Sequence, residues 1–317
     1  MLLECHMNQS LLNISGPYTH ENLTIFLFHD PDHLDTGRYV PLRDAMEQKH
    51  VIVYETGNVG ALEAENLSDT FDVFIQAGDV LKGGRQDRTI AIDFIIPARS
   101  GRIPIPAFCV ESGRWHRRNA ESQRHFSSSA HALHAKSARL AAKLKRSQSA
   151  VWESVAACQA DLAASLGKPV QAADSPTSYQ LSIENSELRR CKDEFRKRLG
   201  DLPIAPGILG YAFYVNGQRN SADIYTSTSL FHKLWEKLLD VAILEAISYK
   251  SQTTTVPTKE SIEAWLEEAA GAQLEDRRDA PPRTRLATRH RNGMVIFETF
   301  DTTADGEAPL HTNIIAR

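Results

Sequence analysis

Residues 208–225 have the sequence ILGYAFYVNGQRNSADIY, which predicts a β-hairpin. The apolar and aromatic run 208–215 is rich in residues that favour strands, and it leads into Asn216-Gly217. Asn-Gly is a strong two-residue hairpin turn, because both residues tolerate a positive φ. A second strand is expected to leave the turn through residues 222–225. This segment is the clearest piece of antiparallel sheet that the sequence predicts.

A long amphipathic helix is predicted directly after this hairpin, from Leu230 to Tyr249. Its apolar residues recur three and four positions apart, so they form one continuous face that can pack against a core. Ser227 or Ser229 is expected to cap its first turn, because a serine hydroxyl accepts a hydrogen bond from a free amide there. Packing of this face on a partner protein stays open as an alternative.

Short strands are also predicted in the N-terminal part of the chain, between Glu21 and Glu111. Runs of β-favouring residues alternate there with Gly, Pro, Asn and Asp, a rhythm typical of antiparallel sandwiches and barrels. No crossover helices separate these strands, which disfavours a doubly wound parallel sheet. After Trp115 the composition becomes rich in Ala, Ser, Lys and Arg, and we expect helices, the first of them capped by the serines at 127–129. A second helix is expected over about Tyr179 to Leu199, and the charged stretch 275–282 is expected to be a link.

These segments predict an α+β fold with an antiparallel β-rich core, sandwich- or barrel-like, and several packed helices. We expect one compact unit over residues 1–317, because the later hairpins would be marginal alone. Its β-rich N-terminal part is residues 16–118, and its helical part is residues 120–200. The hairpin and the long amphipathic helix follow at 205–250, and a linker, a short helix and a C-terminal hairpin at 251–317.

The composition excludes several classes of protein. Among 317 residues, 36 Lys and Arg balance 40 Asp and Glu, for a formal charge of −4, so a nucleic-acid partner is not expected. No run of apolar residues is long enough to cross a membrane, so no membrane partner is expected. Four cysteines without a close pair indicate free thiols and predict a cytoplasmic protein.

The segment Gly78-Asp79-Val80-Leu81-Lys82-Gly83-Gly84-Arg85-Gln86-Asp87-Arg88 is the first candidate site. Paired glycines allow close backbone approach, and Lys82, Arg85, Gln86 and Arg88 are donors, so the segment is a candidate cradle for an anion or phosphate. It lacks the pattern of a P-loop. The alternative is an ordinary hairpin loop with solvated charges.

The segment Cys109-Val110-Glu111-Ser112-Gly113-Arg114-Trp115-His116-Arg117-Arg118 is the second candidate site. Arg114 and Trp115 could form a planar recognition surface, with the indole stacking on a base and the guanidinium pairing with phosphate. Cys109 is a candidate nucleophile if Arg114 or His116 lowers its pKa, or else a buried strand residue. Glu111 is either a base or the partner of Arg114. His131 and His134 lack further fixed ligands, so no metal site is predicted, and the sequence names no cofactor.

At these two segments the sequence resembles the bacterial ARG and rhodanese-phosphatase-superfamily-associated protein domain family. The resemblance covers about residues 15–250. It rests on GPYTHENLTIF, the first segment above, CVESGRW at the start of the second, QSAVW, and GYAFYVNG leading to SLFHKLW. These stretches lie at residues 16–26, 78–88, 109–115, 148–152, 210–217 and 229–235. The family name implies a link to ADP-ribose or NAD metabolism, in bacterial defence or conflict systems. It carries over no catalytic residue.

Two functions follow as hypotheses. The first is binding of an ADP-ribose or NAD-derived nucleotide, with loop 79–88 on the pyrophosphate and Arg114 with Trp115 on phosphate and base. The second is hydrolysis of, or transfer on, such a nucleotide, with Glu111 or Asp79 as general base. A non-catalytic assembly protein, with a protein partner or a second copy of the chain, is a further alternative. The binding function is favoured, because no known catalytic motif is present.

Overall fold

The computed structural model of the chain describes residues 12–30, 35, 37–115, 118, 121–202, 207–250, 255–304 and 308–317. Two units are distinguished by their internal contacts, and each is described by itself. The first comprises Met1–Gly37, Arg198–Glu236 and Ser251–Arg317, and the second comprises Arg38–Lys197 and Lys237–Lys250. The expectation of one compact unit over the whole chain stays a prediction.

Strands and helices occur throughout the described residues. In chain order the strands are β1 (Asn13–His20), β2 (Leu23–His29), β3 (Tyr39–Pro41), β4 (Val51–Tyr54), β5 (Ala61–Asn66), β6 (Asp72–Ile75), β7 (Asp79–Gly83), β8 (Arg88–Ile90), β9 (Phe94–Ile96), β10 (Ile103–Cys109), β11 (Phe126–Ala132), β12 (Ile208–Val215), β13 (Gln218–Tyr225), β14 (Gln273–Ala280), β15 (Thr284–Arg291), β16 (Met294–Asp301) and β17 (His311–Ala316). The helices are α1 (Leu42–Glu47), α2 (Lys136–Leu140), α3 (Gln148–Leu166), α4 (Tyr179–Ile183), α5 (Ser186–Leu199), α6 (Thr228–Ser248) and α7 (Lys259–Ala270), and a π-helical turn, Ala141–Lys145, follows α2.

The predicted fold class is confirmed. The described part of the chain contains seven α-helices and three sheets whose strands are mostly antiparallel, which is an α+β fold with a β-rich core. None of the helices within the described ranges is both long and apolar enough to cross a membrane.

The first unit is built on an eight-stranded sheet in the order β1-β2-β12-β13-β17-β16-β15-β14. Its predicted hairpin β12–β13 is confirmed, with Asn216 at φ 53° and Gly217 at φ 74° in the turn. Helix α7 packs on this sheet through the fully buried Trp265, whose ring lies edge-on to Tyr214 with the ring centroids 5.6 Å apart. The apolar residues of this packing form a continuous core.

The second unit contains a six-stranded sheet in the order β11-β7-β8-β10-β5-β4 and a three-stranded sheet in the order β3-β6-β9. The pair β3–β6 is parallel, and the other strand pairs of this unit are antiparallel. Strand β8 pairs with β7 on one side and with β10 on the other. The first candidate segment runs from β7 to β8, and the second begins at the end of β10. The two segments therefore lie on three adjacent strands.

The predicted amphipathic helix is confirmed as α6. Ser227 is its cap, since its hydroxyl accepts a hydrogen bond from the Leu230 amide at 3.1 Å. Asp35 adds a second cap from a distant part of the chain, and it accepts bonds from the hydroxyls of Ser227 and Thr228 at 3.0 and 2.8 Å and from the Ser229 amide. The sequence did not indicate this long-range cap.

Several local predictions are wrong. The serines at 127–129 do not cap a helix, because they lie in strand β11, which pairs with β7. The charged stretch 275–282 was expected to be a link, but most of it lies in strand β14. The single helix expected over Tyr179 to Leu199 is two helices, α4 and α5.

Candidate functional site

Two glycines at positive φ begin the turn between β7 and β8, Gly83 at 117° and Gly84 at 58°. A side chain on Gly84 would meet the ring of Phe126 and come within 2.6 Å of Oε2 of Glu55. The missing side chain thus lets the Glu55 carboxylate reach the turn. The Gly84 amide itself donates to the Ser122 carbonyl oxygen at 2.9 Å.

Two neighbouring amides, those of Gly83 and Arg85, also bond within the chain. The Gly83 amide donates to Oδ1 of Asp87 at 3.2 Å, and the Arg85 amide donates to Oε2 of Glu55 at 3.1 Å. Two carboxylates of the protein therefore take the positions on these amides that the sequence analysis assigned to a phosphate. The site is a turn already filled by internal anions.

Arg88 is fully buried beneath this turn. Its Nη1 donates to the Val59 carbonyl oxygen at 2.8 Å and to Sγ of Cys109 at 2.7 Å. Its Nη2 lies 3.4 Å from Oε1 of Glu55, which forms a buried ion pair. The guanidinium is thus enclosed by groups of the protein on two sides, and it balances the charge of the Glu55 carboxylate.

Cys109 lies at the end of β10 and is fully buried. Burial raises the pKa of its thiol to about 11, although the Arg88 guanidinium acts in the opposite direction. Its backbone amide and carbonyl are both bonded by the side chain of Gln148, each at 2.8 Å. These surroundings favour the interpretation of Cys109 as a buried strand residue over that of a nucleophile.

A buried network of charges joins the turn to the loop that follows β10. Arg118 donates to both oxygens of Asp87, at 3.0 and 3.2 Å. Arg114 donates from Nε to Oε2 of Glu111 at 2.7 Å, and its Nη2 lies 3.4 Å from Oδ1 of Asp87. The four side chains are nearly or fully buried, so their charges are neutralised by one another rather than by water.

The two carboxylates of this network have opposite pKa shifts. Burial raises the pKa of Asp87, and the neighbouring Arg118 only partly offsets this effect. Burial would also raise the pKa of Glu111, but hydrogen bonds from Arg114 and Ser175 bring it below its ordinary value. A carboxylate with a lowered pKa is a weak proton acceptor, so Glu111 has the properties of a structural anion.

The segment before helix α4 supports the network from the other side. Ser175 donates its hydroxyl hydrogen to Oε1 of Glu111. The hydroxyl of Ser178, the cap of α4, lies 3.5 Å from Oδ2 of Asp87 and accepts a bond from the Leu181 amide at 3.2 Å. Two serines of this segment thus add hydrogen bonds to the buried carboxylates.

Trp115 is the exposed part of this site, with 43% of its surface accessible. The Arg85 guanidinium carbon lies 5.4 Å from the centroid of its ring, and that of Arg88 lies 5.8 Å from it. The exposed indole of Trp115 and the partly exposed residue Arg85 therefore lie side by side. We call this pair, Trp115 and Arg85, the Trp115–Arg85 surface.

Other residues of the first candidate segment are engaged elsewhere in the second unit. Lys82 forms an ion pair with Glu184 at 2.6 Å, and Asp79 forms one with Lys237 of α6. Gln86 is buried. Of the predicted ligand-binding residues, Trp115 and Arg85 thus form the Trp115–Arg85 surface, and Arg88 and Arg114 lie in the buried ion pairs near it.

The sequence analysis missed three members of the site. Asp87 and Arg118 lie in the quoted segments but have no predicted role, and Glu55 lies outside both segments. No local pattern marks these residues, because the contacts Asp87–Arg114, Glu55–Arg88 and Asp87–Arg118 join residues between 27 and 33 positions apart in the chain. His116, which was considered as a neighbour of Cys109, lies outside the described residues.

In the part of the chain that the structure describes, no group of three or more His, Cys, Asp or Glu side chains is arranged to hold a metal ion.

A family model described as "ARG and Rhodanese-Phosphatase-superfamily-associated Protein domain" matches residues 11–306. No curated protein and no solved structure matches the chain. The family match includes every residue of the site described above.

Proposed function

The chain belongs to the ARG and Rhodanese-Phosphatase-superfamily-associated Protein domain family, and on that premise we propose that it binds an ADP-ribose or other NAD-derived nucleotide at the Trp115–Arg85 surface. The family name suggests an association with ADP-ribosylation and rhodanese-phosphatase systems. The observation that carries the proposal is the exposed indole of Trp115 beside the guanidinium of Arg85.

This pair matches the two chemical features of such a nucleotide. An exposed aromatic ring offers a stacking face for adenine or nicotinamide, and base stacking on an aromatic residue contributes about 1–3 kcal/mol. A guanidinium donates paired hydrogen bonds to phosphate oxygens. Because the Arg85 amide is fixed by Glu55, the side chain starts from an anchored backbone. Little ordering of this residue is then needed on binding.

The remaining predicted residues act indirectly in this proposal. Arg88 and Arg114 are buried in ion pairs with Glu55 and Glu111, so they support the surface from beneath. Gly83 and Gly84 shape the turn, Lys82 is paired with Glu184, and Gln86 is buried. Direct contact of these residues with a phosphate would require their present partners to be displaced, which costs the desolvation of a buried charge.

Binding without turnover is the version of the function that we propose. The lowered pKa of Glu111 and its bonds to Arg114 and Ser175 argue against a general base. Asp79 is engaged by Lys237. A hydrolase would lose turnover and keep binding in the Glu111→Gln variant, whereas a binding protein has no turnover to lose.

Calorimetric titration and thermal shift with ADP-ribose, NAD and inorganic phosphate test the proposal. Ligand at about 100 times its dissociation constant should stabilise the protein by about 2.7 kcal/mol. Trp115→Ala and Arg85→Ala should each weaken ADP-ribose binding by about tenfold or more. Matched controls are Leu67→Ala, at another exposed apolar residue of the second unit, and Arg99→Ala, at an exposed arginine.

The controls should bind ADP-ribose as the unaltered protein does. Equal loss in the controls and in the Trp115 and Arg85 variants would place the ligand elsewhere. No stabilisation by any of the nucleotides would overturn the proposal, and the search would turn to a protein partner or a second copy of the chain.

A further inference from the structure

Asp87 is the carboxylate on which two arginines that flank Trp115 in the chain converge. Arg118 bonds both of its oxygens, and Nη2 of Arg114 lies 3.4 Å from Oδ1. Asp87 is fully buried, and each arginine is less than a tenth exposed. Charge-assisted bonds thus fasten the loop that carries Trp115 to the β7–β8 turn, at positions before and after the indole.

We infer that Asp87 is a positioning residue, whose charged carboxylate holds this loop so that Trp115 lies beside Arg85, and that nucleotide binding requires that charge. The inference rests on the proposed function of the Trp115–Arg85 surface. Asp87 does not belong to that surface, because it is fully buried and the charged groups that it contacts belong to the loop. Its role is to place the residue that the nucleotide would contact.

Three segments face the Asp87 carboxylate. The Gly83 amide donates to it from its own turn, and the Ser178 hydroxyl approaches it from the start of α4. The loop after β10 supplies the charged groups around it, which are Arg114, Arg118, Glu111 and, behind Arg118, Glu121. The Gly83 amide and the Ser178 hydroxyl can still bond Asp87 when it is protonated. Protonation therefore acts mainly by removing the charge that holds Arg114 and Arg118, and with them the loop.

The pH dependence of this arrangement has a defined sign. Burial raises the pKa of Asp87 above the ordinary value of 3.8, against the opposing effect of Arg118. As the pH falls through the raised pKa, Asp87 becomes neutral and its bonds to Arg118 weaken. Binding should therefore decline on the acid side, with a midpoint above 3.8.

The contribution of Asp87 to the free energy of unfolding changes in the other direction. An acid whose folded-state pKa is raised stabilises the fold below its unfolded-state pKa, and this stability is lost as the pH rises through the folded-state pKa. If Asp87 only stabilised the fold, its protonation at acidic pH would not weaken nucleotide binding, because protonation of Asp87 favours the fold. This difference separates positioning of the loop from general stabilisation.

The experiment uses the full chain labelled with fluorotryptophan, whose Trp115 fluorine resonance is identified by comparison with Trp115→Phe. The Trp115 resonance should shift with a midpoint above pH 3.8, and ADP-ribose affinity should fall by about tenfold across the same midpoint. In Asp87→Asn the resonance should stay near its acidic position at every pH, and binding should be about tenfold weaker without a midpoint. The matched control is Asp72→Asn, which removes a buried, arginine-paired carboxylate from the three-stranded sheet.

Two results would overturn the inference. One is a folded Asp87→Asn protein whose Trp115 resonance and affinity match the unaltered protein. The other is a Trp115 resonance that does not titrate in the unaltered protein, a measurement that decides the matter even if the variant fails to fold. A titrating resonance without ADP-ribose binding at any pH would instead overturn the proposed function, and with it the binding half of the inference.

Discussion

Arg118 donates to the two carboxylate oxygens of Asp87 from its two terminal nitrogens, at 3.0 and 3.2 Å. This bidentate pair is buried, and it joins residues 31 positions apart in the chain. Planar guanidinium and carboxylate groups match in this geometry, which a lysine ammonium cannot reproduce. The pair therefore ties the loop after β10 to the turn after β7 with both charge and direction.

We expect Arg118→Ala to destabilise the second unit by about 3–5 kcal/mol, because it leaves a buried carboxylate without its main partner. Arg118→Lys should lose less, since it keeps the charge but not the bidentate geometry. Urea unfolding measures both variants. Arg99→Ala, which breaks an exposed ion pair with Asp69, should cost at most about 1 kcal/mol. If Arg118→Ala and Arg99→Ala reduced the free energy of unfolding equally, the buried ion pair would stabilise the protein no more than the exposed one.

Gly84→Ala should be destabilising for two separable reasons. The positive φ of Gly84, 58°, costs about 1–2 kcal/mol for a residue with a side chain. Contact with Phe126 and Glu55 should add about 1–3 kcal/mol of overpacking. Gly113→Ala isolates the first cost, since Gly113 also has a positive φ but has no atom within 4 Å of the added carbon. Thermal unfolding in which both variants lose the same stability would contradict the packing contribution.

The elements that the sequence predicted correctly carry their own local signals. The β12–β13 hairpin has an Asn-Gly turn between two apolar runs, and α6 has an unbroken apolar face. Strands β1, β11 and β14, which were not predicted, are edge strands of the two larger sheets. An edge strand needs few apolar residues, and charge on it prevents pairing with other chains, so the sequence of β14, QLEDRRDA, resembles a linker.

The candidate site was predictable only in part, for a related reason. Trp115 and Arg85 could be predicted as ligand-binding residues, because an aromatic ring can stack on a base and a cation near glycines can bind a phosphate. The sequence could not show that Glu55 and Asp87 bond the amides of the turn, since these contacts depend on how distant strands pair. An arginine in a ligand site and an arginine in a buried ion pair look alike in a sequence.

The cysteines should differ strongly in reactivity. Burial raises the pKa of Cys109 to about 11 and that of Cys158 well above its ordinary value, so few thiolates form at either residue near neutral pH. Cys191 is partly accessible. Among these three, iodoacetamide at pH 8 should alkylate Cys191 first, as mass spectrometry of peptides would show. Rapid alkylation of Cys109 in the folded protein would instead support its interpretation as a nucleophile.

Asp35→Asn should weaken the start of helix α6 and change its response to acid. Burial alone would raise the pKa of Asp35, but hydrogen bonds from the Gly37 and Ser229 amides and from Thr228 hold it below its ordinary value of 3.8. A lowered folded-state pKa contributes stability above the ordinary pKa, and this stability is lost as the pH falls through the lowered value. At neutral pH we expect a loss of about 1 kcal/mol, typical of a removed helix cap.

Denaturant unfolding at a series of pH values should therefore give a smaller loss of stability on acidification for Asp35→Asn than for the unaltered protein. The matched control is Asp279→Asn, at an exposed carboxylate of the same unit whose partner is Arg285. That control should change stability by at most about 1 kcal/mol. A parallel pH dependence in Asp35→Asn and the unaltered protein would mean that the carboxylate caps α6 without its charge.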